Sequence, residues 1–153
     1  MKTLDGSFPL RAGRAAEASF RNDLLNCAES VLRAVLEEAG MPCPLDLLRA
    51  ASAFGRGMGG AGCCCGALVG GQMALGCFFG RTNDRGEPPE ECARLARMLH
   101  ERFTAQNKSA CCRVLHKGMP YGTPEQFDSC ALRTGKAAEL AAQAILEGKN
   151  APR

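Results

Sequence analysis

The sequence predicts an all-α fold: a single-domain bundle of about five helices, with a glycine-rich loop leading into a buried central helix. Three observations predict it. Apolar residues recur at spacings of three and four over long stretches, which puts them on one face of a helix. No segment alternates apolar and polar residues for long enough to make a half-buried strand. Pro and Gly cluster at 40–44, 55–62, 86–89 and 118–124, where helix connections belong, and none of these breaks is long enough to separate a pair of domains. The chain has 153 residues, of which 46% are hydrophobic and 23% charged. That is enough to close one core and too apolar for a disordered chain.

The elements follow in order. Residues 15–39 form the first helix, with Leu24, Ala28, Val31, Val35 and Ala39 on its inner face; Gly40 and Pro42 stop it. Residues 45–53 suit a short second helix, and 55–62 (GRGMGGAG) a flexible loop. Residues 64–79 are short on charge and rich in small residues, as a buried helix is. Within them Gly66, Gly70 and Gly71 leave a bare side for another helix to approach, in this chain or across a homodimer. Residues 88–104 make a fourth helix with Cys92, Leu95, Ala96, Leu99 and Phe103 on one stripe. Thr123, Pro124 and Gln126 give the last helix a capping-box start, and its stripe runs through Phe127, Cys130, Ala131, Thr134, Ala137, Ala138, Ala141 and Ile145.

Charge and composition narrow the function. A net charge of +3, seven Phe, one Tyr and no Trp supply neither the basic patch nor the stacking platforms of a nucleic-acid protein. The longest apolar stretch, Cys63 to Phe79, is too short for a membrane span, and residues 1–14 lack the apolar run of a secretory signal. The chain therefore reads as soluble and cytoplasmic. Its ten cysteines then read as metal ligands, redox thiols or small buried residues rather than a disulfide framework.

Local motifs are few. Gly55, Gly57 and Gly60 spell GxGxxG, but no strand precedes them, so the dinucleotide reading fails. Cys63, Cys64 and Cys65 stand at the start of the buried helix, where unpaired N–H groups and the helix dipole favour a thiolate. No CxxC pair is present, which disfavours zinc-finger and bacterial-ferredoxin sites. Any cysteine site has to be assembled by the fold from distant elements. Of the two histidines, His100 falls on the exposed side of the fourth helix, and His116, four residues after Cys112, is near enough to serve as a ligand or proton donor but reads more readily as a surface residue near a loop. Asp23, Glu29 and Glu38 read as solvated charges, and Arg81 either as a counter-charge to the end of the third helix or as a contact for an acidic partner.

One family matches these pieces in order. Asn26-Cys27-Ala28 with Val31-Leu32, Phe54-Gly55-x-Gly57-Met58-Gly59, Cys65-Gly66-Ala67-Leu68-Val69-Gly70, Leu75-Gly76, Gly80-Arg81, Cys112-Arg113-x-Leu115 and Cys130 together resemble the C_GCAxxG_C_C family of small redox proteins. The resemblance covers about residues 20–146, with short flexible ends outside it. It implies that Cys27, Cys65, Cys112 and Cys130 are the functional four. Cys43, Cys63, Cys64, Cys77, Cys92 and Cys111 are extra to the pattern, and the doublets beside Cys65 and Cys112 leave the register open by a residue. The family is also similar to the C-terminal part of split-Soret cytochromes, which carries an iron–sulfur centre. That analogy implies a [2Fe–2S] or [4Fe–4S] cluster on the four cysteines, wrapped by Gly57, Gly59 and Gly66, passing electrons to an unidentified redox partner protein. The alternatives are a thiol–disulfide protein with Cys65 as reactive thiolate, a structural zinc site, and cysteines that only pack.

Overall fold

The computed structural model describes Lys2 and residues 4–151. Its described residues form eight helices: α1 (Phe8–Asn22), α2 (Cys27–Glu38), α3 (Leu45–Ser52), α4 (Gly55–Met58), α5 (Gly66–Phe79), α6 (Glu90–Asn107), α7 (Cys112–Leu115) and α8 (Pro124–Asn150). No strand forms among them, only an isolated antiparallel bridge between Cys64 and Cys111. The all-α class holds, but the helix count is higher than five for identifiable reasons.

The expected helix over 15–39 is two helices. Asn26 caps α2: its side chain accepts a hydrogen bond from Glu29 N (2.9 Å), and the Glu29 carboxylate accepts one from Asn26 N (2.8 Å). This capping box ends one helix and starts another, and Leu24, expected on the inner face, is 100% exposed with φ 58°. The N-terminal end is not loose either. Phe8 is fully buried, and α1 packs along α8 and α2. The other two additions are the single turns α4 and α7, which lie inside the expected loop and linker.

α5 is the central helix, contacting α2, α6 and α8. Its bare glycine side is filled within the chain. A Cβ on Gly70 would collide with Ala28 O, and one on Gly71 would lie 3.1 Å from Leu99 Cδ2 and 3.2 Å from Ala141 Cβ. Leu32, Leu68, Leu75, Leu95, Leu99, Phe103 and Ile145 close the core around it. Thr123 caps α8 as expected, accepting from Gln126 N (3.3 Å), but Gln126 Oε1 accepts from Gly122 N (3.1 Å) instead of completing the box. Phe127 leaves the expected core stripe and stacks on Phe20 near the surface, 5.2 Å between ring centroids. Arg81 donates to Gly86 O (2.8 Å), not to the end of α5. No helix among the described residues is long and apolar enough to cross a membrane.

Candidate four-cysteine site

Four elements begin or pass at one end of the bundle, and each brings a cysteine. Cys27 is the first residue of α2, Cys65 the N-cap of α5, Cys112 the first residue of α7, and Cys130 lies in the second turn of α8. All four line one cavity of about 440 Å³, with His116 and Arg133. Arg56 and Tyr121 also border it, the guanidinium 3.9 Å above the tyrosine ring centroid. All ten cysteines are free thiols.

Two glycines make the approach possible. A Cβ on Gly66 would collide with Cys27 Sγ and sit 2.6 Å from Phe54 O. Gly57, at φ +66°, is buried behind Cys112, and a Cβ there would meet Cys112 Cβ at 2.5 Å and Cys63 N at 2.8 Å. Of the three glycines expected to wrap a cofactor, Gly66 lines the cavity. Gly57 and Gly59 do not. Gly59 sits at φ +68° and ends the α4 turn, so its contribution is to chain direction.

The thiols are held protonated. Burial, followed by the charges of Cys65 and Cys130, pushes the Cys27 thiol up to about 12, although N–H groups of Arg56 and Ala28 act the other way. Burial, then Cys65 and Cys130, pushes Cys112 up to about 11. Burial raises Cys130 against the opposing hydrogen bond from Gln126. The expectation of a low-pKa thiolate at Cys65, from its place at a helix start, does not hold. Cys65 is 6% exposed, and burial raises its pKa against the N–H groups of Leu68 and Ala67. Desolvation outweighs the helix terminus here.

A polar side chain joins two of the thiols. His116 Nε2 lies 3.1 Å from Cys130 Sγ and 3.1 Å from Arg133 Nη1, and Nδ1 lies 3.5 Å from Cys112 Sγ. A guanidinium only donates, so Nε2 accepts from Arg133 and the ring proton resides on Nδ1, toward Cys112. Burial and then Arg133 lower the His116 pKa, keeping the ring neutral. Gln126 Nε2 donates to Cys130 Sγ (3.1 Å). Sequence reasoning favours a surface role for His116 over a ligand or proton donor, uses Gln126 only in the cap of the last helix and passes over Arg133. The spacing holds the signal: Gln126, Cys130 and Arg133 are four and three residues apart on one helix, and His116 follows Cys112 by four.

The remaining cysteines lie elsewhere. Cys43 and Cys77 are half-buried against the outside of the core, and burial raises both. Cys92 is half-buried at the start of α6, outside the buried stripe of Leu95, Leu99 and Phe103. Cys63 is exposed, while Cys64 and Cys111 face one another beside the site.

The four cysteines around the cavity are thiol donors of the kind that hold metal groups. Donor type and number suit an iron–sulfur cluster, and the lack of a side chain at Gly66 lets Cys27 Sγ lie against the start of α5. Among the described residues, no three His, Cys, Asp or Glu side chains stand together as the ligands of one metal ion.

A family model described as "Putative redox-active protein (C_GCAxxG_C_C)" matches residues 25–144. No curated protein and no solved structure matches the chain.

Proposed function

The chain belongs to the C_GCAxxG_C_C family of redox-active proteins, and from that premise we propose that Cys27, Cys65, Cys112 and Cys130 hold an iron–sulfur cluster that serves in electron transfer. The observation that carries this reading is the meeting of four thiols, from four separate elements, around one cavity. Their pKa directions support it. One buried and three half-buried thiols that resist ionisation need a cation beside them to become thiolates, and a coordinated metal supplies that charge. When bound, such a cluster supplies a one-electron couple.

The chain's own groups do the rest. N–H groups of Arg56 and Ala28 at Cys27, N–H groups of Ala67 and Leu68 at Cys65, and Gln126 Nε2 at Cys130 direct hydrogen bonds to ligand sulfur. Such bonds and burial set a reduction potential. The Arg133 guanidinium places positive charge beside the thiolates. Redox partners would dock at the mouth bordered by Arg56 and Tyr121.

The test is anaerobic purification with iron, sulfide and visible-spectrum analysis. Stoichiometric iron and sulfide are expected, and both should vanish in Cys65→Ser while remaining in Cys64→Ser. The reverse pattern would put the register at the start of α5 out by one residue. An iron-free, sulfide-free chain sinks the cluster.

One observation favours a second reading. The His116 ring spans Cys112 and Cys130, so the pair could act as a dithiol: exchange with a partner disulfide forms the Cys112–Cys130 bond, breaks the partner's, and passes two electrons and both thiol protons to the partner's two thiols. In that reading Cys65 is not the attacking group. A chain that carries no iron but transfers two electrons, and loses this in Cys130→Ser, selects it.

A further inference from the structure

The cysteines that stand beside the site, outside the family pattern, are arranged by the backbone. Cys65 N donates to Ala110 O (2.7 Å), and Cys112 N donates to Cys63 O (2.5 Å). These two bonds flank Cys64 and Cys111, which stand directly opposite one another as an antiparallel bridge. Such a position is the non-hydrogen-bonded pair of an antiparallel ladder, where opposed Cα atoms come to about 4.5 Å and both side chains leave on the same face. A disulfide requires Cα atoms about 4.4–6.8 Å apart. The backbone thus already satisfies the distance condition. Both residues are half-buried free thiols. Cys111 Sγ donates to Gly62 O at 3.3 Å, which holds its side chain on this short ladder. Neither residue lines the four-cysteine cavity.

We propose that Cys64 and Cys111 are a redox-active pair that forms a reversible disulfide across this bridge. The oxidant is a low-molecular-weight disulfide. The thiolate of one cysteine attacks a sulfur of the oxidant, forming a mixed disulfide and releasing one thiolate. The second cysteine then attacks the protein-bound sulfur, the Cys64–Cys111 bond forms, and the second small thiolate leaves. The two protons lost by the cysteines end on the two released thiols, and two electrons pass to the oxidant. The new bond ties the approach to α5 to the approach to α7, next to Cys65 and Cys112. The pairing rests on backbone geometry alone and stands whether or not the four-cysteine site holds a cluster.

The experiment uses the full chain, reduced and metal-free, equilibrated anaerobically with excess oxidised glutathione. Unreacted thiols are alkylated, and tryptic peptides are read by mass spectrometry. The expected product links the peptide that ends at Arg81 to the one that ends at Arg113, two mass units below the sum of the reduced pair. The link should disappear in Cys64→Ser and in Cys111→Ser and persist in Cys63→Ser and Cys112→Ser. Oxidation should also raise Tm by about 5–10 °C in the parent chain, because the bond closes a long loop, and leave Tm unchanged in Cys64→Ser. Cys64 and Cys111 both alkylated after oxidation, or a link that survives Cys64→Ser, overturns the proposal.

Discussion

The middle of the bundle and the end that carries the four cysteines are built on opposite principles. In the middle, α5 meets α2 glycine to backbone, and large side chains such as Phe103, Leu32 and Ile145 are fully buried. At the cysteine end the chain turns repeatedly. Leu24, Arg56 and Met58 hold positive φ without being glycine, alongside Gly57, Gly59, Gly60 and Gly62. Each such non-glycine residue costs on the order of 1–2 kcal/mol. The same end buries thiols and an imidazole whose charged forms are disfavoured. Stability is thus concentrated in the middle, where it holds a strained and desolvated end in shape. The two can be perturbed separately.

The largest expected effect breaks the middle alone. Phe103→Ala empties a fully buried site on α6 and should cost about 3–5 kcal/mol in urea unfolding. Iron bound per folded molecule should stay at the parent level. A proportional loss of iron from the folded fraction would mean that the two regions are not separable.

The next breaks the end alone, through pH. Cys27 has a folded pKa raised from 9.0 to about 12, so above pH 9 the unfolded metal-free chain ionises this thiol and the folded chain does not. The folded state then binds more protons, and stability falls as pH rises. The contribution is neutral below 9 and should reach about 2 kcal/mol of loss between pH 9 and 10.5. Cys112 acts in the same direction but is more exposed and adds less. Cys27→Ala should flatten the alkaline slope. Equal slopes in parent and variant would show that burial of this thiol carries no such cost.

A pair of glycine substitutions on one helix sharpens the contrast further. Gly66→Ala forces a methyl against Cys27 Sγ and Phe54 O. It should lower stability by about 1–2 kcal/mol, overpacking being partly offset by helix propensity, and should abolish iron binding. Gly76→Ala meets nothing within 4 Å; it should gain about 0.5–1 kcal/mol from helix propensity and keep the iron. Iron retained in Gly66→Ala would detach the glycine cradle from the site.

How much of each region is legible in the sequence follows the same division. The middle is readable, because period and small-residue spacing are local signals: Gly70, Gly71, Leu95, Leu99 and Phe103 fall where they are expected. The end is readable only in places. The capping box of Asn26 and Glu29 is written in the sequence and divides the first helix, yet apolar Leu24 and Leu25 disguise it as continuous. The four cysteines are selected by resemblance, since separations this long carry no spacing rule. Arg133 and His116 meet across 17 residues; the spacing within α8, or between Cys112 and His116, shows which residues share a side but not that the two sides meet.

The smallest expected effect concerns a cysteine that belongs to neither region. On its stripe with Leu95 and Leu99, Cys92 reads as a core residue, and burying an unpartnered hydroxyl there would cost about 1–3 kcal/mol in Cys92→Ser. The structure puts it half-buried in the first turn of α6, just after Glu90 and Glu91. Burial raises its thiol pKa, but water remains within reach of a replacing hydroxyl, and a first-turn position tolerates serine. The expected cost is therefore below about 1 kcal/mol, with iron content and the Cys64–Cys111 linkage unchanged. A loss of about 2 kcal/mol or more in urea unfolding would place Cys92 in the core after all and extend the packed middle to the N-terminal turn of α6.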